Sequence, residues 1–151
     1  MVPTDFSGLS CEAISWATLL AQEFKAKIVM VHVISARAAL EMTAQPGNPW
    51  ESVLEREDNA MIEIFQSCLQ SNIGQTVETQ TLVEVGLAAE NIIEAAIERA
   101  ADLIVMATHG RTGLSHALMG SVTEKVVRQA PCPVLTIRPK GVQLVENMSH
   151  Q

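Results

Sequence analysis

Residues 103–123 read Leu-Ile-Val-Met-Ala-Thr-His-Gly-Arg-Thr-Gly-Leu-Ser-His-Ala-Leu-Met-Gly-Ser-Val-Thr. The first four are wholly apolar, as in central strands that are buried on both faces. Three glycines then occur in the 11 residues from Gly110 to Gly120, and a helix is predicted over Ser121–Gln129. A buried strand that leads through a glycine-rich loop into a helix is a repeating unit of parallel α/β sheets.

The alternation of strand and helix continues in both directions from this stretch. Further strands are predicted at residues 2–4, 28–34, 77–85 and 134–137, and further helices from Ser7 or Ser10 to Phe24 and over residues 51–71 and 86–100. Such crossovers predict a single doubly wound, Rossmann-like α/β domain over residues 1–139. We expect a five-stranded parallel sheet in the order 3-2-1-4-5, four helices on its two faces, and a C-terminal tail of residues 140–151.

The composition is that of a folded protein that is not exported. Hydrophobic residues make up 48% of the 151 residues, no apolar run approaches the roughly 20 residues of a membrane helix, and residues 1–5 lack the basic start of a signal peptide. The net charge of −7, the 3% of aromatic residues and the lack of a Lys/Arg cluster argue against long nucleic acids as ligands. We therefore expect a cytoplasmic protein without nucleic-acid or membrane partners.

The cysteines give no sign of a metal or redox site. Cys11, Cys68 and Cys132 are widely spaced, and no pair has Cys-x-x-Cys spacing. We expect three small, buried thiols in a reducing compartment.

Two segments are expected to converge at the ligand-binding edge of the sheet. Ligands of such folds lie beyond the carboxyl ends of the strands, where the winding reverses. The first strand ends in Pro3-Thr4-Asp5, and the fourth ends in Met106-Ala107 before the glycine-rich loop. The loop and the helix that follows it should therefore face the end of the first strand.

The loop has the features of a phosphate cradle. Glycine lets backbone N–H groups approach an anion, and Gly120 precedes a helix whose first N–H groups have no partner within the helix. Ser121 and Thr123 can add hydroxyl donors. The alternative is a loop of ordinary turn glycines in which Ser121 caps its own helix. The segment is neither a Gly-Lys-Ser/Thr phosphate loop nor a Gly-x-Gly-x-x-Gly motif, so the residues alone indicate an anion site for phosphate.

Four motifs in order resemble the universal stress protein family over nearly the whole chain. The family motif consists of a glycine, two residues, a second glycine, nine residues, a third glycine and then Ser or Thr. In this chain Gly110 and Gly120 are the second and third glycines and Ser121 follows them, whereas Ala107 stands in place of the first glycine. The other three similar segments are residues 2–7, 31–33 and 131–134. Family members usually have several apolar residues before the first of these, so the first strand is expected to be short.

The resemblance implies an adenine-nucleotide site and the fold of the adenine nucleotide alpha hydrolases. Asp5 and Val33 would lie at the adenine, Val33 through its backbone, with Pro3 and Thr4 as the wall beside it. Met106 and Ala107 would line the ribose. The phosphates would be bound by the backbone N–H groups of Gly110, Gly120, Ser121 and Val122, with Thr123 beside them, and Mg²⁺ would bridge the phosphate oxygens.

The resemblance also implies a homodimer that pairs through the last strand, Val134–Ile137. The leading hypothesis is an ATP-binding module for stress response or regulation, with little or no catalysis. One alternative is a slow ATP-hydrolysing enzyme on the same site. No nucleophile–base pair or Walker lysine supports the enzyme, so positioning and a metal would have to suffice. Asp5 could act as a general base, but its expected place near the adenine argues against that role. His109 and His116 are expected to be structural or exposed rather than to donate to a phosphate, and Arg111 either clamps the γ-phosphate or lies in solvent. The other alternative is a nucleotide-free scaffold, which Ala107 favours.

Overall fold

The computed structural model describes residues 1–44, 47–69, 77–108 and 119–138. Within these residues the chain forms five strands and five helices, with at least one helix between each pair of successive strands. The strands are β1 (Val2–Pro3), β2 (Ile28–Ile34), β3 (Thr79–Val85), β4 (Ile104–Ala107) and β5 (Val134–Ile137). The helices are α1 (Gly8–Phe24), α2 (Ala36–Thr43), α3 (Trp50–Leu69), α4 (Ala88–Glu98) and α5 (Ser121–Gln129). The predicted tail, residues 140–151, lies outside the described residues.

All strand pairs are parallel, as the alternation of strands and helices predicts. β1, β2 and β3 form one sheet in that spatial order, and β4 pairs with β5 in a second. Met1 links the two: its amino group donates to the Leu103 carbonyl at 2.7 Å, and its carbonyl accepts from the Val105 amide at 2.9 Å. β1 therefore lies beside β4.

Helices cover both faces of this arrangement. Ile28 and Met30 of β2 pack in one core with residues of α1 and α3, while Val29 and Val31 pack in a second core with residues of α4 and α5. Successive side chains of a strand point to opposite faces, so the continuous apolar run of β2 serves both cores. The predicted α/β fold with helices on both faces is confirmed.

The prediction of four helices is wrong, because α2 forms directly after β2. The Ser35 side chain caps it by accepting a hydrogen bond from the Ala38 amide at 3.2 Å. Of its eight residues only Ala39 is buried. The eight residues of α2 are fewer than the roughly 11–18 over which a helical period is recognised, and the pattern therefore did not identify it.

The expectation of three free thiols is also wrong. Cys11 of α1 and Cys68 of α3 form a disulfide across a sequence separation of 57 residues. The two helices pack in the same core, which brings the cysteines together. Cys132 is free, and partial burial raises the pKa of its thiol above the ordinary value of 9.0.

Among the described helices, none combines the length and the apolar character needed to cross a bilayer.

Candidate functional site

A cavity of about 290 Å³ opens at the carboxyl ends of β1, β2 and β4, with the first residues of α4 and α5 at its sides. Ten of the eleven site residues predicted from the sequence line it. They are Pro3, Thr4, Asp5, Val33, Met106, Ala107, Gly120, Ser121, Val122 and Thr123. The eleventh, Gly110, lies outside the described residues, as do His109, Arg111 and His116.

Five residues of the lining were not predicted from the sequence. They are Ser10, Val31, His32, Ala88 and Ile92. Val31 could have been found, because it lies two positions before Val33 and its side chain points to the same face of β2. The positions of Ala88 and Ile92 depend on how α4 packs on the sheet, which no local motif specifies.

The backbone of Val33 faces the cavity at a point where, within the described part of the chain, no strand pairs with β2 on one side. The Val31 carbonyl accepts from the Thr4 amide, so alternate residues of β2 direct their amide and carbonyl groups toward β1. β1 ends at Pro3, which pairs with Val31. The N–H and C=O groups of Val33 therefore point to the same side, beyond the end of β1.

The amide of Gly120 is not available to a phosphate. It donates to the Thr108 carbonyl at 2.7 Å, and the Thr123 hydroxyl donates to the Ala107 carbonyl at 3.0 Å. The predictions that the Gly120 amide and the Thr123 hydroxyl serve as phosphate donors are therefore wrong. Both groups instead tie the start of α5 to the end of β4.

The first amides of α5 remain oriented for an anion. The first hydrogen bond along the helix runs from the Glu124 amide to the Gly120 carbonyl at 2.9 Å. The amides of Ser121, Val122 and Thr123 precede it and have no acceptor within the helix. Gly120 is the N-cap and no side chain caps the helix, which contradicts the alternative of a Ser121 cap.

Thr4 forms part of the wall, because its polar groups bond to protein. Its amide donates to the Val31 carbonyl at 2.8 Å, and its hydroxyl accepts from the Phe6 amide at 3.2 Å. Its carbonyl accepts from Nδ1 of His32 at 2.9 Å, while Nε2 of His32 lies 3.9 Å from a Glu57 carboxylate oxygen. His32 is thus a hydrogen-bonded residue between β1 and α3, as expected for a histidine in a buried strand.

Asp5 is held by two serines at the start of α1. Its Oδ1 accepts from the Ser7 hydroxyl at 2.6 Å, the Ser10 hydroxyl at 2.7 Å and the Ser7 amide at 3.1 Å. We refer to Asp5, Ser7 and Ser10 as the serine clamp.

The family comparison agrees with this geometry. The model of the universal stress protein family matches residues 1–138. The chain belongs to the universal stress protein family.

Three universal stress proteins match this chain along most of their own length. Universal stress protein MJ0531 of Methanocaldococcus jannaschii is 34% identical over 138 residues, covering 91% of this chain and 80% of the relative. Protein MJ0577 of the same organism has a solved structure with a TM-score of 0.74 to this chain at 27% identity. The match covers 92% of this chain and 94% of the chain of MJ0577. A universal stress protein solved in complex with cAMP has a TM-score of 0.63 at 24% identity, covering 91% of this chain and 93% of its own.

Ala107 departs from the universal stress protein motif without straining the backbone. It lies at the end of β4, and the described non-glycine residues with positive φ are Phe6, Lys25 and Ala100. A Cβ at this position therefore costs no conformational strain, which weakens the argument that Ala107 favours a nucleotide-free scaffold.

An ion pair joins the two helices beside the cavity. Lys125 of α5 donates to a carboxylate oxygen of Glu90 in α4. This hydrogen bond lowers the pKa of Glu90 below its ordinary value of 4.5. The pair connects the two helices that carry Ala88 and Val122 of the cavity wall.

Proposed function

We propose that this universal stress protein binds an adenine nucleotide, with ATP as the preferred ligand, and acts as a binding module with little or no catalysis. One observation carries the proposal: a single cavity has the Val33 backbone groups at one side and the first amides of α5 at another. These are groups suited to a base edge and to phosphate, respectively.

Adenine fits the Val33 edge better than guanine does. An N–H donor beside a C=O acceptor is complementary to adenine, whose N1 accepts and whose 6-amino group donates. Guanine held in the same orientation presents an N1–H donor and an O6 acceptor, which would place like groups against each other. Apolar side chains, including Pro3 and Ile92, supply contact surface for a base.

The start of α5 supplies the phosphate-binding half of the proposed site. The amides of Ser121, Val122 and Thr123 and the helix dipole favour negative charge there, by roughly 0.3–1 kcal/mol for the dipole alone. Gly110 would add a further amide from the glycine-rich loop. Within the described residues no group of three His, Cys, Asp or Glu side chains could hold a metal, so our proposal leaves Mg²⁺ to the phosphate oxygens.

The proposal includes a continuous sheet in the order 3-2-1-4-5. The two hydrogen bonds of Met1 to Leu103 and Val105 support it, because they join β1 to β4. In that order the winding reverses between β1 and β4, and ligands of doubly wound sheets bind at such a point.

The complex of a universal stress protein with cAMP supports the fold rather than the choice of ligand, since that protein is 24% identical to this chain. The case for an adenine nucleotide here rests on the chain's own cavity.

We also propose a homodimer that pairs through β5. β5 pairs with β4 along one edge, and Leu135 of β5 and Val127 of α5 are exposed by 36% and 43%. An apolar end strand of this kind favours pairing with a second copy. Sedimentation of the wild-type protein should give a dimer and that of Leu135→Lys a monomer; a wild-type monomer would contradict the proposal.

Titration calorimetry with ATP and GTP tests the proposed function. We expect saturable binding of ATP and weaker binding of GTP. The absence of binding to either nucleotide would favour the scaffold instead. Measurement of phosphate release at saturating Mg-ATP separates binding from hydrolysis, because turnover near the ordinary enzyme range of about 1 per second would contradict a binding module.

A further inference from the structure

Within the described residues, β1 stops pairing with β2 two positions before Val33. The Thr4 amide donates to the Val31 carbonyl, and the register ends with Pro3 opposite Val31. In a parallel pair these bonds recur at every second residue of the strand. If the pairing continued, the Val33 amide would donate to the Thr4 carbonyl and the Val33 carbonyl would accept from the Phe6 amide. Two backbone groups that follow β1 are therefore the natural partners of Val33.

The first of these groups, the Thr4 carbonyl, is bonded to a side chain instead. Nδ1 of His32 lies 2.9 Å from this oxygen. A carbonyl only accepts hydrogen bonds, so Nδ1 carries a proton and donates it. The other ring nitrogen, Nε2, lies 3.9 Å from a carboxylate oxygen of Glu57 in α3, and both side chains are largely buried. The imidazole is thus held between α3 and the chain that leaves β1.

The second group, the Phe6 amide, is bonded within the turn rather than to β2. It donates to the Thr4 hydroxyl at 3.2 Å. Phe6 has φ of 62°, a left-handed conformation outside the range of strands, and its ring packs on the His32 ring with centroids 4.3 Å apart. The chain then enters the serine clamp at the start of α1. Both groups that would extend the pairing to Val33 therefore have other partners.

We propose that His32 and the Thr4 hydroxyl are positioning residues that engage the two backbone partners of Val33, so that its N–H and C=O groups stay available to a ligand. Side chains that bond to nearby backbone compete in this way with regular secondary structure. Without the imidazole N–H, the Thr4 carbonyl would regain a partner by turning to the Val33 amide. The consequence for a nucleotide rests on the proposed function, whereas the end of the pairing does not.

Amide hydrogen exchange of the unliganded protein, followed by NMR, tests the pairing without a nucleotide. In the wild type, the Val33 amide should exchange faster than the Val31 amide, which lies in the paired part of β2. His32→Gln removes the donor at Nδ1 and keeps an amide near the position of Nε2. We expect it to slow exchange of the Val33 amide about tenfold, because this amide gains one hydrogen bond. A variant that only destabilised the fold would instead speed exchange.

A matched variant isolates the Nδ1 donor. His32→Asn keeps an N–H group at the position of Nδ1, so the Val33 amide should exchange at the wild-type rate. Calorimetry with ATP should likewise show about tenfold weaker binding to His32→Gln and wild-type affinity for His32→Asn. Thr4→Val loses the hydroxyl and should also weaken ATP binding, whereas Thr4→Ser should not. The two Thr4 variants and the wild-type exchange rates decide the question if His32→Gln does not fold.

The outcomes are distinct. Exchange of the Val33 amide that is as slow as that of Val31 in the wild type, or that is unchanged in His32→Gln, overturns the inference. Equal slowing in His32→Asn and His32→Gln also overturns it, because the Nδ1 donor would then have no role. Slower exchange in His32→Gln with unchanged ATP affinity overturns its consequence for the ligand. A wild type that binds no ATP but shows the expected exchange rates overturns the proposed function and supports the positioning by His32.

Discussion

Ser121 is the residue at which one proposed phosphate donor can be removed with little effect on the fold. Ser121 is the first residue of α5, a position at which proline is well tolerated. The preceding residue, Gly120, has φ of −70° and ψ of 153°, and this extended conformation is the one that a residue before proline adopts. Ser121→Pro deletes one N–H group. We expect it to weaken ATP binding about tenfold or more, since a hydrogen bond to a charged group contributes roughly 1.5–3 kcal/mol.

Two matched variants control for this change. Ser121→Ala removes the hydroxyl and keeps the amide, so calorimetry should show a smaller loss. Ala36→Pro places proline at the first position of α2, away from the cavity, after a Ser35 with ψ of 145°, and should leave ATP affinity unchanged. Equal affinities for Ser121→Pro and Ser121→Ala would show that the Ser121 amide does not contact phosphate.

At position 6 we expect the glycine variant to be more stable than the alanine variant, which is the reverse of the usual order. Its φ of 62° strains any residue with a Cβ, and its ring packs against that of His32 with centroids 4.3 Å apart. Both Phe6→Ala and Phe6→Gly lose the ring, but only Phe6→Ala keeps the strain. We expect Phe6→Gly to be the more stable by about 1 kcal/mol in urea unfolding.

A helical site provides the comparison for Phe6. At Glu94, an exposed position within α4, the glycine variant should be the less stable by roughly 0.5–1 kcal/mol. If glycine were the less stable variant at both positions, the backbone at Phe6 would carry no strain.

Among the elements, α4 and α5 are held together by an interaction that acid should remove. The pKa of Glu90 is lower in the folded protein than its ordinary value of 4.5, because Lys125 donates to it. The unfolded chain therefore binds the proton first as pH falls. The stabilisation is complete above pH 4.5 and is lost as pH falls through the folded-state pKa.

Thermal unfolding of the wild type and Glu90→Gln measures this effect. We expect the wild type to have the higher Tm at neutral pH and the difference to vanish in acid. Lys125→Gln should reproduce the neutral-pH loss, and the double variant should add little to it. A difference in Tm that persists at acid pH would show that the ion pair is not its cause.

The sequence predicts elements well where the pattern of hydrophobic residues reflects burial. The predicted bounds of Ile28–Ile34, Ser121–Gln129 and Val134–Ile137 agree with the structure. α2 was missed because its eight residues are fewer than those over which a helical period is recognised. The cavity could be located because parallel strands end at one edge, whereas the hydrogen bonds that occupy Gly120 and Thr123 depend on how α5 docks on β4.

On the scale of the whole molecule, the disulfide should dominate the response to reductant. A link across 57 residues restricts the unfolded chain and is expected to contribute about 2–4 kcal/mol. Dithiothreitol should lower the free energy of unfolding by that amount in the wild type and in Cys132→Ser. It should have no effect on Cys11→Ser/Cys68→Ser. A wild type insensitive to dithiothreitol would contradict a disulfide between these residues.

This disulfide could not be predicted, because spacing alone does not identify which distant cysteines meet. Cys11 and Cys68 come together only through the packing of α1 on α3. Likewise, the bond from His32 to Thr4 joins residues 28 positions apart and depends on the register of β1 with β2.

Amide NMR spectra recorded during titration with ATP test the central claim most directly, because they follow the proposed donors one by one. We predict saturable shifts of the Val33 amide and of the Ser121 and Val122 amides in the same titration, with the α2 amide of Ala38 unaffected. If ATP at saturating concentration left the Val33 and Ser121 amides unchanged, the nucleotide would not occupy the cavity between β2 and α5, and the account would be wrong.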